Sequence, residues 1–380
     1  MKVALDCIRR AQKEPLHKQL ASAIRGAIQE GHYRPGERIE PERLFMHQAH
    51  LSYPTVARAF RQLVTEGLVI RKVGCGTFVA DPLPNRNRGT RTVGVVYYQR
   101  NEFFLPIYTG IQAECNQERC RAIPVFEMGQ VGGEDRVLRK LQNHGVSGIL
   151  VVPSLLERQH RELIRLIVRH VPIVLIDTYL PDTPCDAVVV DNEGAAETMA
   201  RHLIELGHRR IVFVTHGVQY PYGTSVRDRL AGVRRALRAA GIGDEEDWQV
   251  EFGNPVSSAQ EVDRRIHRIL EDLLGRGPKR RPTAIMCLND LVALATIRAL
   301  RERGLRVPQD ISVTGFDDLS WAESVDPPLT TVAQPLERIG RKAARLLFER
   351  LLFPNRQPVR VEMDFRLVVR RSTAPPPTGK

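Results

Sequence analysis

Apolar residues in the first 80 positions recur at helical spacing three times over. In residues 15–30, Leu16, Leu20, Ile24, Ala27 and Ile28 make one stripe, closed by Gly31 and the turn YRPGE, and residues 41–49 give a second, shorter helix. The third helix is predicted over 53–66. Ser52 stands at its N-cap, Pro54 in its first turn and Gly67 just past its end. Val56, Phe60, Leu63 and Val64 define its buried face, while Pro54, Arg58, Arg61 and Thr65 fall on the other side. Two short β-rich runs follow, LVIRK and GTFVA, joined by Val73-Gly74-Cys75-Gly76 as a hairpin.

The pattern changes after DPLPNRNRGTR (81–91), which has no periodicity and reads as a linker. From Thr92, short continuous apolar runs (TVGVVYY, RAIPVF, GILVV, PIVLID) alternate with amphipathic stretches, among them 107–119 and helices ending near 143 and 168. The alternation restarts with VVV and continues through a helix ending near 206, RIVFV, a helix after Arg229, AIMCL, a helix over 292–303 and ISVTGF. Apolar strands alternating with helices predict parallel sheets covered on both faces. The expectation is two doubly wound halves in succession, with a ligand crevice between them at the carboxyl ends of the strands. The expected domains are 10–80, the linker 81–91, a body over 92–374 and a tail over 375–380.

Charge separates the two parts. Residues 1–91 hold 16 Lys/Arg against 8 Asp/Glu and so carry +8 of the formal +12, which points to a polyanionic partner for the N-terminal part. Three helices and a hairpin are the plan of a winged helix-turn-helix. There the third helix reads base edges in the major groove while flanking elements hold phosphates. On that plan Tyr53, Thr55 and Arg58, behind Ser52, face the groove, and Arg43 and Arg61 lie nearer the backbone. No apolar run approaches the ~18 residues of a membrane span, and MKVALDCIRRAQKE turns polar too early for a signal peptide, so a cytoplasmic protein is expected. The six cysteines are scattered without metal-ligand spacing, so reduced thiols are expected and neither a disulfide, a metal nor a cofactor.

The residues PLHKQLASAIRGAIQEGHYRPGERIEPERL, SYPTVARAF and LVTEGLVIRKVGCGTFVA resemble the DNA-binding domain of the GntR family across nearly all of 14–80. The resemblance implies that Arg43 grips phosphate, that Thr55 and the helix start meet an operator, and that the wing around Lys72 and Gly74 reaches the minor groove. Two positions depart from the family pattern, Tyr53 and Ala57, where it usually has arginine. The family's operator sequence is therefore not carried over.

The body has its own likeness. DAVVVDNEGAAETMARHLIELGHRRIVFV, the RLAG starting at Arg229, PTAIMCLNDLVALATIRALRERGLRVPQDISVTGFDD, DPPLTTVAQPLERIGRKAARLL and LVVRRSTAPP resemble the effector-binding domain of the LacI/GalR regulators, a periplasmic-binding-protein type I fold, over about 92–374. That family's own helix-turn-helix and hinge helix are missing, and the GntR-like head stands in their place, as in arabinose-repressor-type chimeras. The resemblance implies a homodimer joined through the effector bodies.

A buried polyol needs paired donors and acceptors and an apolar face. Arg229 offers a forked donor, Asp317 an acceptor, Asn192 and Asn289 both, and Phe104 a face, and the LacI/GalR likeness puts ligand contacts at the same positions. Asp177 is expected to cap, with lining the cleft as its alternative, and Trp321 to pack in the core, with a second stacking face as its alternative. The function expected is a DNA-binding repressor released from its operator by a small ligand, most readily a sugar. The alternative is a purine- or nucleoside-responsive or co-repressor-dependent regulator of the same build. An enzyme is not expected, because no dinucleotide-binding glycine motif, phosphate loop, nucleophile elbow or His-Glu-x-x-His is present.

Overall fold

The computed structural model of the 380-residue chain describes residues 3, 5, 8, 14–33, 36–66, 68–72, 76–79, 91–97, 102–126, 132–154, 160–216, 223–242, 248–253, 258–277 and 280–377. Contacts divide the chain into one unit of residues 1–89 and 348–357 and a second of 90–347 and 358–380. The expected linker, apart from Arg91, and Gly74 lie outside the described residues, as does the side chain of Lys72.

The first unit begins with α1 (Leu16–Gln29), α2 (Glu42–Gln48) and α3 (Tyr53–Thr65), followed by the antiparallel pair β1 (Val69–Lys72) and β2 (Gly76–Val79). The predicted stripes meet in one core. Leu20 and Ile24 of α1, Phe45 of α2 and Val56, Phe60 and Leu63 of α3 are fully buried, and Phe45 meets Phe60 edge to face at 5.5 Å. Truncating such a ring to alanine costs about 3–5 kcal/mol. Val64, expected on the buried face, is 39 % exposed. At 100° per residue it lies about 80° round the helix from Val56, at the edge of the stripe in the last turn.

The second unit opens with β3 (Arg91–Tyr97), α4 (Phe104–Gln117), β4 (Cys120–Phe126), α5 (Gly133–Asn143), β5 (Gly148–Val151), α6 (Arg161–Val168), β6 (Ile173–Ile176) and β7 (Asp186–Val190). It continues with α7 (Asn192–Glu205), β8 (Ile211–Thr215), α8 (Thr224–Ala239), β9 (Gln249–Glu251), α9 (Ala259–Gly275), β10 (Ala284–Cys287), α10 (Asp290–Glu302), β11 (Ser312–Thr314) and β12 (Thr331–Ala333). Last come α11 (Leu336–Leu352), β13 (Arg360–Met363) and β14 (Arg366–Val368).

These strands form two parallel sheets, β13-β7-β6-β5-β3-β4 and β11-β10-β8-β9, with β12 and β14 as a short antiparallel pair. The halves are therefore not strictly successive. The run VVV, expected to open the second half, is β7 of the first sheet, and β13 returns from near the end of the chain to lie parallel beside it. The chain thus crosses between the subdomains after β7, after β12 and again after β13. Each subdomain seats its first helix against a later or earlier partner at the same kind of close approach. A Cβ on Gly110 of α4 would run into the backbone of Glu337 on α11, and one on Gly232 of α8 into that of Glu193 on α7. Only glycine lets two helix backbones come so near.

Candidate functional site

The carboxyl ends of both sheets face a cleft of about 260 Å³. The first subdomain contributes Tyr97 at the end of β3, Glu102 and Phe103 at the start of α4, and Asp177 just after β6; the second contributes His216, Arg229, Asn289, Asp317 and Trp321 among others. The two lips touch. Ser320 Oγ donates to Glu102 Oε2 at 3.2 Å, and the backbone N–H of Tyr179 donates to Thr224 Oγ1 at 2.9 Å.

Arg229 is the centre of the arrangement. It is buried, its guanidinium lies 3.6 Å from the centroid of Phe316, its Nε donates to Asn192 Oδ1 at 2.8 Å and its Nη1 to the Leu288 carbonyl at 2.7 Å. The sequence placed it ahead of a helix, but α8 starts five residues earlier at Thr224, so Arg229 projects from the second turn of that helix. Asn192, expected as a ligand contact, instead holds Arg229 in place. Its own Nδ2 donates to the Val190 carbonyl, and it is not part of the cleft wall.

Asp317 is buried, with its Oδ1 accepting from Gln334 Nε2 at 2.8 Å. Burial holds its carboxyl well above the usual range; Arg229 opposes the rise, and Asp290 and Asp177 reinforce it. Asp177, expected to cap ahead of lining the cleft, lines the cleft beside Arg229, and shielding from solvent raises its carboxyl too, again against the pull of Arg229. Asp177, Asp317 and Asp318 sit at φ 68°, 129° and 55°, where non-glycine residues are strained. Such strain gathers at functional sites. Behind them Asp290 accepts from Thr331 Oγ1 at 2.6 Å and the Leu319 N–H at 2.9 Å, and burial lifts it to about 6.

Asn289 Oδ1 caps α10 through the Val292 N–H at 3.0 Å, and the residue also lines the cleft. Phe104 does not. Its ring is buried, stacked on Tyr97 at 4.4 Å and edge-on to Phe126 at 5.3 Å, so its face is used by the core, and the neighbouring Phe103 borders the cleft. Trp321 packs on the core and also lines the cleft. His216 went unnoticed in the sequence, where a lone histidine after a strand carries no pattern. Its Nδ1–H donates to the Gly253 carbonyl at 2.7 Å, and burial depresses it to about 4, leaving a neutral imidazole in the wall. Among the described residues no cluster of three or more His, Cys, Asp or Glu is arranged to hold a metal ion. What the cleft offers is one forked donor between acceptors, bordered by aromatic rings.

In the head, Ser52 is the N-cap of α3, and its Oγ pairs with Thr55 Oγ1 at 2.8 Å rather than with the helix backbone. Tyr53 is 60 % exposed, Arg43, Arg58 and Arg61 are exposed, and Thr55 is half-buried. The basic side chains sort into two kinds. Arg25 is tied to Glu66 at 2.8 Å and Arg71 to Glu42, whereas among the described residues no acidic side chain pairs with Arg43, Arg58 or Arg61.

The class so defined is a two-subdomain α/β ligand-binding body carrying a winged helix-turn-helix head. The pattern of the family described as "Bacterial regulatory proteins, gntR family" matches residues 16–79, and that of the "Periplasmic binding protein-like domain" matches 200–373. The arabinose metabolism transcriptional repressor of Geobacillus stearothermophilus is 29 % identical over 341 residues, 88 % of this chain and 91 % of that one. The HTH-type transcriptional repressor PurR of Aliivibrio fischeri (strain MJ11) is 32 % identical over 287 residues, 74 % of this chain and 81 % of its own. Among solved structures, a complex of the transcriptional regulator CelR with cellobiose superposes with a TM-score of 0.65 at 27 % identity, covering 87 % of this chain and 94 % of that one. The chain belongs to the transcriptional regulators that join a gntR family head to a LacI/GalR-type, periplasmic binding protein-like body. No helix among its described residues is long and apolar enough to cross a membrane.

Proposed function

We propose that the protein is a cytoplasmic repressor, not an enzyme, which binds double-stranded operator DNA as a homodimer and is released by a small polyhydroxylated ligand held in the cleft. The observation that carries this reading is Arg229. It is a buried forked donor fixed by Asn192 and the Leu288 carbonyl, with Asp177 from one subdomain and Asp317 from the other beside it. A ligand that bridges those acceptors and Arg229 engages both subdomains at once. It therefore favours one degree of closure, and it shifts DNA affinity only as far as that preference goes. A sugar fits best, because its vicinal hydroxyls both donate and accept while its ring face packs on Phe103 or Trp321. The cellobiose held by the CelR relative supports it. A purine is the second reading, favoured by the likeness to PurR and by the same aromatic rings.

On the DNA side, Tyr53, Thr55 and Arg58 behind Ser52 read the major groove, Arg43 and Arg61 hold phosphates, and Lys72 and Gly74 belong to the wing. Residues 81–91, which join head and body, transmit the change between body and heads. Thermal-shift measurements on the full chain with free pentoses, hexoses, cellobiose and purine bases test the ligand. A ligand at 100 times its Kd adds about 2.7 kcal/mol, a rise of roughly 5 °C or more for a body of this size. A shift with purine bases alone selects the second reading, and no shift with any of them refutes both.

A further inference from the structure

The cleft holds more acid than base. Among the described residues that line its 260 Å³, Glu102, Asp177 and Asp317 bring carboxyls and Arg229 alone a guanidinium, while burial keeps His216 neutral. Arg229 is already engaged, through Nε with Asn192 Oδ1 and through Nη1 with the Leu288 carbonyl. The acids, by contrast, are short of donors. No hydrogen bond from the described residues reaches the Asp177 carboxyl. Asp317 is 8 % exposed, and of its two oxygens only Oδ1 has a partner, the Gln334 Nε2 at 2.8 Å. Gln334 in turn keeps its Oε1 buried with no donor among the described residues. Glu102 Oε2 accepts from Ser320, which leaves Oε1 over. Buried acceptors without donors are costly, so what the cleft lacks is a donor-rich, positively charged group. We propose that the ligand of this cleft carries a protonated amine beside its hydroxyls, as an amino sugar does, and that phosphorylated and carboxylate-bearing sugars are excluded; the inference rests on the reading of the cleft as a sugar site.

Hydroxyls alone supply donors but leave the charges unbalanced. An ammonium group brings three N–H donors and the missing positive charge together. Burial raises both Asp177 and Asp317, and a cation seated beside them lets them ionise at less cost, as Arg229 already does from its side. A phosphate or carboxylate does the reverse. It offers acceptors where acceptors already wait, and it adds a like charge to a wall whose one opposing cation is engaged with Asn192 and Leu288. The acids come from both subdomains, Glu102 and Asp177 from the first and Asp317 from the second, so an amine held among them also favours closure.

Calorimetric titration of the full chain tests this with matched sets built on glucose, galactose and mannose, each as the free sugar, the amino sugar, its N-acetyl derivative and the phosphate ester. In the set that binds, the amino sugar should be tighter than the free sugar and the N-acetyl derivative by roughly tenfold or more, the contribution of one hydrogen bond to a charged group, and the phosphate ester should not bind. The N-acetyl derivative keeps the nitrogen and removes its charge, so it isolates the charge. Asp177→Asn should shrink the preference for the amine, and the wild-type comparison decides the matter even where that variant folds poorly. A phosphate ester that binds as well as its parent, or a free or N-acetyl sugar as tight as the amine, overturns the inference and leaves the sugar reading standing. Silence from every set fails the sugar reading itself, and this inference with it.

Discussion

Replacing Arg229 by methionine keeps apolar length over Phe316 while removing the charge. Two charge-assisted hydrogen bonds are lost, to Asn192 at 2.8 Å and to the Leu288 carbonyl at 2.7 Å, each of a kind that contributes about 1.5–3 kcal/mol. Asp177 and Asp317 also lose the cation that offsets their burial. Removing one partner from a buried charged group costs about 3–5 kcal/mol, and that is the loss expected at pH 7.5. The sign of its pH dependence follows from the same residues. Both carboxyls already stand above their unfolded values, and without Arg229 they rise further. The carboxylates penalise the fold at high pH, and protonation relieves them as pH falls, so the deficit of the variant should shrink on acidification. Urea unfolding followed by tryptophan fluorescence reports on the body, since Trp248 and Trp321 are the only tryptophans in the chain. A loss below about 1 kcal/mol, or one that does not change between pH 7.5 and 5.5, would refute the reasoning.

Three further outcomes are expected. Gly110→Ala forces a methyl into the backbone of Glu337 and should cost about 1–3 kcal/mol or more in thermal unfolding, whereas alanine at Gly275, with open space around it, should be tolerated. His216 is neutral in the fold because burial depresses it to about 4, so its contribution is present above its ordinary value of 6.5 and lost as pH falls toward 4. His216→Gln should therefore gain about 3 kcal/mol relative to the wild type between pH 7 and 4 in urea titrations. Arg58→Ala should cost about 1–3 kcal/mol on specific DNA and relax sequence preference, whereas Arg43→Ala should weaken all DNA and flatten the salt slope by about one; equal losses for both variants on both DNAs would make Arg58 a phosphate contact only.

Local pattern made the elements legible, and it failed where the answer lay far along the chain or one residue away. The stripes of α1 and α3 and the apolar runs β3, β5, β6, β8 and β10 all form as their periodicity predicts. One partner of β7 is β13, which begins 170 residues after β7 ends, and no periodicity reveals that pairing. NEFF holds two adjacent phenylalanines whose directions differ by about 100° on a helix, so composition could not say that Phe104 turns inward and Phe103 toward the cleft. Arg229 and Asp317 stand out in the sequence because charged residues beside apolar runs need partners, and both line the cleft. Asp177 lines the cleft and Asn192 braces Arg229 instead, arrangements set by residues distant in sequence that no local pattern reveals.

The most direct test of the account is the affinity of the full chain for a duplex recovered by selection from random DNA, measured by fluorescence anisotropy at fixed salt with and without the ligand that raises thermal stability. A ligand that favours one closure state of the body should weaken specific binding by roughly tenfold or more, about 1.4 kcal/mol, and Arg229→Met should abolish that response. Unchanged affinity at saturating ligand, or tighter binding, would contradict release of DNA by the ligand.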